Sequence, residues 1–587
     1  MFDWRVYRAA AIPFVLALVV AAFSFGDLPP PETTTLAPDA FDGSQAFSLL
    51  GGLAATYPER RPGSPGDEAL ARMAADTFRA STFEVQVRRF RARTIDGRRE
   101  IETVIGTRPG VATDQIVLLA HRDAAARGSA AELSGTAALL ELAHVLAGRV
   151  TQHTVTLVST SGGSGGDAGA VDYATRVTGG PVDAVIVLGD LASVRRRPPV
   201  VVSWSERPGT GPPRLARTLD AAVSTEVGRP AGETGSGGQL LRLAVPFTYG
   251  EQGALLAHGL PAVLLQASGE RGPSPGARID QLTLQSFGRA ALRAVNAIDT
   301  GPAIGYRSDR DVILGKRRFP GWAVRLLLGT LLLGPLLVAI DAFARARRRR
   351  EPMGPGLRWA ATEAVPFVLT AAFVAGAGRL GLLGPAPGGP ALPRALPVNG
   401  LVLGAATVVF AIGWLIRPML WRRQGIADVA ATARAPATGP VVLLGMCVLA
   451  LIVWVVNPYA ALLVIPALHV WLIPLAPELR VRRWLALTLA LAGAIPLVLV
   501  AVGYLAALGV NPLQEIWMAL LAVAGGHVGP LAALMWSLLL GGGVAVLALS
   551  ARRAQSAPGE PPEVTVRGPV SYAGPGSLGG TESALRR

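Results

Sequence analysis

Apolar positions follow one rhythm up to about residue 302 and another after it. Between 41 and 302, short apolar runs at 116–119, 154–159, 184–188 and 200–204 have the length of buried strands. Runs at 83–92 and 99–107 alternate apolar with polar residues, as half-buried strands do. Helical periodicity lies between them: an amphipathic stretch over 42–57, and a helix opening near Asp67 with Asp67 and Glu68 in its first turn. Ala137, Leu139, Leu140, Leu142, Ala143 and Leu146 make one broad apolar face, and further helices are expected near 213–227, 253–258 and 282–298. Strands alternating with helices predict an α/β domain, a mainly parallel sheet in a three-layer αβα arrangement.

From 321 onward the apolar runs lengthen. Seven lie near 321–343, 358–383, 398–418, 440–456, 458–477, 484–508 and 529–550, each close to the ~20 residues that cross a bilayer. Another precedes the α/β region: 9–25 is uncharged, follows Arg5 and Arg8, and has no convincing small-x-small cleavage site, so an uncleaved anchor is expected. The chain thus divides into an anchor (1–26), a Pro- and Thr-rich linker (27–40), the α/β domain (41–302), a basic linker (303–320), an all-α transmembrane bundle (321–550) and a tail (551–587) expected to be disordered in the cytoplasm. The stretch 511–528 is expected to be interfacial or re-entrant.

Charge orients these runs. Basic clusters at Arg345–Arg350, at Arg422, Arg423 and Arg434, at Arg480–Arg483, and at Arg552 and Arg553 follow every second run, which puts both termini inside and the α/β domain outside a bacterial inner membrane. Arg379, Arg394 and the 316–318 cluster are exceptions on the outer side. The net charge of +15 is almost all arginine, Lys316 being the only lysine, and its distribution between apolar runs excludes nucleic acid as a partner. A hydrophobic fraction of 51% fits the lipid bilayer instead. The lone Cys447 excludes an intrachain disulfide and a cysteine-ligated zinc cluster.

His121 and Asp123 stand just past the run at 116–119, where open α/β sheets place their chemistry. This segment, with Ser134-Gly135 at the start of the following helical pattern, resembles the metal-binding strand–loop–helix of the co-catalytic zinc aminopeptidases of metallopeptidase family 28. Glu59-Arg-Arg-Pro-Gly-Ser-Pro-Gly66, Gly259-Leu-Pro-Ala262 and the helix from Ile279 to Arg289 resemble other stretches of that family. The resemblance implies a zinc-aminopeptidase-like fold and a pair of metal ions held by a His, a bridging Asp, a Glu-Glu pair, a later Asp and a final His. In this chain His121 matches the first ligand, Asp123 the residue that orients it, and Asp190 the later Asp. The bridging Asp is replaced by Ala131 and the Glu-Glu pair by Gly163 and Ser164. No histidine occurs between His258 and His469, where the last ligand belongs. Glu132, Glu251 and Glu270 lie near vacated positions.

Three readings of the site follow. His121 and Asp123 form an inherited hydrogen-bonded pair without a metal; or His121 and Asp190 hold a single zinc; or Glu132 and Glu270 replace lost ligands in an active aminopeptidase. Two protein ligands seldom hold zinc, and the carboxylate base is missing, so a dismantled peptidase site is expected, with no zinc or one and not two. A rival constellation is Gly162-Gly163-Ser164-Gly165-Gly166 followed by Asp190 and His258, the pattern and order of an α/β-hydrolase triad, although His258 also suits a helix C-cap. In the apolar half, His469 lies mid-run, while Asp341, Glu363 and Arg417 lie near run ends. The layout of anchor, peptidase-like domain and further spans is similar to that of the peptidase-like subunit of the GPI-transamidase complex. It implies a non-catalytic module that holds a protein or peptide at the outer membrane face.

Overall fold

The computed structural model describes residues 3–305, 310–426, 428–476, 479 and 481–553; of the tail expected to be disordered, 551–553 end a helix and 554–587 lie outside the described residues, as does Arg480. Seven strands form one sheet: β1 (Glu84–Thr94), β2 (Gly97–Arg108), β3 (Gln115–His121), β4 (Thr154–Thr160), β5 (Val182–Leu188), β6 (Val201–Val202) and β7 (Ala262–Leu265). Their order is β1-β2-β4-β3-β5-β7-β6. The pairs β3–β4, β3–β5 and β5–β7 are parallel, so four adjacent strands make a parallel centre. The outer strands are antiparallel. The sheet is therefore more mixed than the apolar runs suggest: Thr94 pairs with Gly97, and a turn that short can only reverse the chain. The apolar run at 200–204 contributes only the two residues of β6 at the sheet edge.

The strand residues sort by parity. Ile116, Leu118 and Ala120 join one core with helices α1 (Gly43–Thr56), α2 (Pro65–Ala80), α3 (Ala130–Leu146), α5 (Pro213–Val227) and α8 (Gln281–Thr300). Val117 and Leu119 join a second core on the opposite face with α4 (Ala168–Val177) and α7 (Glu251–Ala257). This is the three-layer αβα arrangement expected. Gly135 fixes how closely α3 approaches the sheet: a Cβ there would lie 2.1 Å from the Leu188 carbonyl oxygen. That accounts for the glycine of the Ser-Gly pair.

Among the described residues six helices are long and apolar enough to cross a membrane, or up to eight if each of two bent pairs is one span. The bends, 44° between Gly354–Thr362 and Val365–Arg379 and 46° between Arg483–Ala492 and Ile495–Leu508, each fall just before a proline in the first turn of the second helix. The stretch expected to be interfacial is a short apolar helix, Pro512–Gly525. Gly26–Asp27, where the expected anchor meets the first linker, pairs with Arg317–Phe319 and this with Val312–Leu314 of the second linker as a three-stranded sheet. At the other end of the N-terminal helices Asp3 pairs with Arg345 at 3.2 Å. The N-terminal helices thus run antiparallel to Gly321–Arg348. His469 bonds the Tyr7 hydroxyl through Nδ1 at 2.8 Å and the Leu331 carbonyl through Nε2 at 3.1 Å, a tie between helices. Glu363 is paired with Arg417, and Asp341 with Arg345.

Candidate functional site

The parallel strands β3, β4 and β5 end together, and the loops leaving them build the site. Arg122, fully buried, is its floor. It pairs with the Asp67 carboxylate at 2.9 Å and donates to the carbonyls of Asp67, Ser159 and Glu102, tying α2, β4 and β2 beneath the loop after β3. Asp67 also accepts from Ser161 Oγ and from the Gly63 amide, so it is drawn into the core instead of decorating a helix terminus.

Above this floor Asp123 is saturated. Oδ1 accepts from the amides of Gly162 (2.8 Å) and Gly163 (3.1 Å), and Oδ2 from that of Ser164 (3.0 Å). His121 directs Nδ1 to the Asp123 carbonyl at 3.0 Å and stands 3.6 Å from its carboxylate. Burial opposes the charged imidazole, but the hydrogen bond and charge of Asp123, with Glu251 and Glu132 nearby, lift His121 to about 9. Burial likewise opposes the carboxylate of Asp123, yet His121 and the Ser164 amide hold it down to about 2.

Gly163 lies directly on the histidine. A Cβ at 163 would sit 2.5 Å from His121 Cβ, which no rotamer moves, and 2.6 Å from Cγ. The loop after β4 is folded onto the imidazole. Gly163→Ala is accordingly expected to cost about 1–3 kcal/mol through overpacking, read as a lowered Tm of the detergent-solubilised chain. An unchanged Tm would show that the loop yields freely.

The other expected residues are dispersed around this centre. Asp190 uses Oδ1 to accept from the amides of Ala192 (3.1 Å) and Ser193 (2.9 Å), capping its own turn; Oδ2 is buried without a partner. Glu251 accepts from Thr160 Oγ1, and burial, partly offset by His121, raises it to about 7. Glu132 is buried beside His121 and raised by burial. Glu270 is paired with Arg242. Ser164 Oγ is buried without a hydrogen bond, and His258 Nδ1 is 2.7 Å from the carbonyl of Ala254, the helix-cap geometry. Thus Ser164, Asp190 and His258 form no relay among the described residues. No three His, Cys, Asp or Glu side chains among the described residues converge as a metal requires. The donor set does not fit a metal pair: Asp123 is spent on three amides, and Gly163 leaves no room beside His121.

Two features escaped the sequence. Asp167 and Glu206 are buried together; burial and Glu206 push Asp167 well up, and burial raises Glu206 to about 7. Asp167 holds a left-handed φ of 49°, costly for a non-glycine residue. The second feature is a cap from a different part of the chain. The segment between Val365–Arg379 and Gly400–Arg423 lies across the loop after β4: the Pro390 carbonyl accepts from the Gly166 amide at 3.0 Å, and Pro387 and Ala391 pack on Gly166 and Gly165. Arg394 donates to the Pro273 carbonyl and is held among Glu132, Tyr249 and Asp190; burial lowers its pKa. Its signal in the sequence was its position, an arginine on the wrong side of the charge pattern.

No protein-family model matches the chain, and no curated protein matches it. Among solved structures, a glutaminyl cyclase of Porphyromonas gingivalis is 18% identical, over 44% of this chain and 99% of that one, with a TM-score of 0.35. BSAP, a zinc aminopeptidase from Bacillus subtilis, is 11% identical over 46% and 97%, with a TM-score of 0.37. An aminopeptidase from Aneurinibacillus sp. strain AM-1 is 13% identical over 45% and 96%, with a TM-score of 0.37.

Proposed function

We propose that this chain is a multi-pass protein of the bacterial cell membrane that carries its α/β domain on the outer face as a non-catalytic binding or scaffold module for a protein or peptide. The observation that carries the proposal is the folding of 162–164 onto His121 and Asp123. The space in which a peptidase positions a base and a second metal ligand is filled by backbone, and the Asp123 carboxylate is consumed in holding it there. The segment around Pro390 and Arg394 covers the same end of the sheet, which leaves the outer surface of the domain, and not the strand ends, to meet a partner.

Charge supports the orientation. Arg434 and Arg552 both stand close enough to Asp428 to act on it. Clustering of arginines at one end of the bundle is what a cytoplasmic face requires. The α/β domain then lies outside.

The second reading is an active zinc aminopeptidase with substituted ligands. It is favoured by Glu132 and Glu251, two buried carboxylates beside His121. Hydrolysis of aminoacyl nitroanilides by the purified full-length chain separates the two. The proposal predicts no turnover above that of a His121→Ala variant. Activity lost on chelation and in His121→Ala would establish the second reading, and fluorophosphonate labelling lost in Ser164→Ala would establish a serine hydrolase.

A further inference from the structure

A cavity of about 870 Å³ lies where the α/β domain meets the apolar helices. Its two halves differ in chemistry. Toward the α/β domain it is lined by Arg195, Arg196, Arg197 and Arg271. The first three are consecutive in the turn before β6, and their guanidinium groups make no hydrogen bond or ion pair among the described residues. Burial and the charges of Arg195 and Arg271 lower the pKa of Arg197, as expected of cations crowded without a counter-ion. Of the other charged groups on the wall, Glu270 and Arg242 neutralise each other, and Arg242 also lies over the Tyr504 ring.

The opposite half is apolar. It is lined by Leu462 and Leu463 and by Leu499, Val500 and Gly503 of the helix Ile495–Leu508. The end of that helix is fixed beneath the arginines, because Arg271 donates to the carbonyls of Ala506 and Ala507. The same helix carries exposed apolar side chains, Leu499 at 64% and Val502 at 55%. The volume is within the range of small-molecule sites. A cationic head above an apolar trough that continues onto a membrane-facing helix has the complementarity of one class of molecule.

We infer that this junction binds an anionic phospholipid, its phosphate among Arg195, Arg196 and Arg197 and an acyl chain along Leu499 and Gly503. The inference rests on the reading of these helices as membrane spans. The lipid fills the gap between the domain and the bundle and sets the domain on a membrane surface of negative charge.

The test uses the full chain, extracted in dodecyl maltoside, delipidated and titrated with dioleoyl phosphatidylglycerol or dioleoyl phosphatidylcholine, with retained lipid counted by native mass spectrometry. Phosphatidylglycerol is expected to be retained at least about tenfold better than phosphatidylcholine. That preference is expected to vanish in R195Q/R196Q/R197Q, whose side chains make no hydrogen bond that holds the fold. Leu499→Trp, filling the trough from its exposed side, is expected to weaken retention while leaving the arginines intact. Equal retention of the two lipids, or phosphatidylglycerol bound unchanged by both variants, would overturn the site. Displacement of the lipid by an equal concentration of inorganic phosphate would assign the arginines to a soluble anion and overturn the lipid as occupant. Carbonate extraction of cell membranes separates the underlying reading. A chain that washes out refutes the spans themselves, whereas a resistant chain that retains no phosphatidylglycerol refutes only the lipid site.

Discussion

Arg122→Ala is expected to unfold the α/β domain or to destabilise it by about 3–5 kcal/mol, the loss typical of removing one partner from a buried ion pair. The guanidinium is fully buried, and its fork reaches the Asp67 carboxylate and three carbonyls on different elements. Alanine would leave Asp67 charged or protonated in the core and three carbonyls short of a donor. Lysine would not substitute, because a single ammonium cannot span the same acceptors. Thermal unfolding in detergent, with limited proteolysis to assign the transition to this domain, reads the effect. A variant with wild-type Tm would remove Arg122 as the floor of the site.

The second large effect belongs to Asp123. Asp123→Asn keeps the shape but replaces a carboxylate accepting three amides with a group that has one acceptor oxygen and must turn its own N–H groups toward a donor. A loss of about 2–4 kcal/mol is expected. The change also alters pH dependence, with a definite sign. Asp123 is depressed to about 2, so its contribution is present above the ordinary carboxylate value and is lost as pH falls through 2. His121 is raised to about 9, so its contribution is complete below about 6.5 and is lost as pH rises through 9. The pair is therefore fully formed from about pH 4 to 6.5 and fades from there to 9. The Tm gap between wild type and Asp123→Asn is expected to narrow over pH 6.5–9. A gap constant across that window would mean that His121 is neutral and that Asp123 acts on the loop amides alone.

The sequence made the centre of the sheet legible because β3, β4 and β5 are buried on both faces and so are apolar without interruption. The position of His121 at the end of β3 and of Asp123 just past it followed from that, as did Asp190 past β5. The outer strands were harder. The apolar run at 200–204 retained only Val201–Val202 as strand, since this edge is met by two antiparallel pairs and no more. What no local pattern could reveal was long-range: Arg394 facing Glu132 from more than half the sheet domain's length away in sequence, or Asp167 meeting Glu206. Such contacts leave no periodicity. The presence of Gly163 was visible, but its consequence, an imidazole pressed against the Cα, arises only where the fold brings the loop after β4 over His121.

The most direct test of a non-catalytic site is the zinc content of the full-length chain, measured by elemental analysis after expression with zinc and purification without chelator. The collapsed loop and the saturated Asp123 predict zinc well below one ion per chain, unchanged by His121→Ala. Two ions per chain, lost in His121→Ala, would mean that Glu132 and Glu251 complete a co-catalytic centre, and would contradict the account.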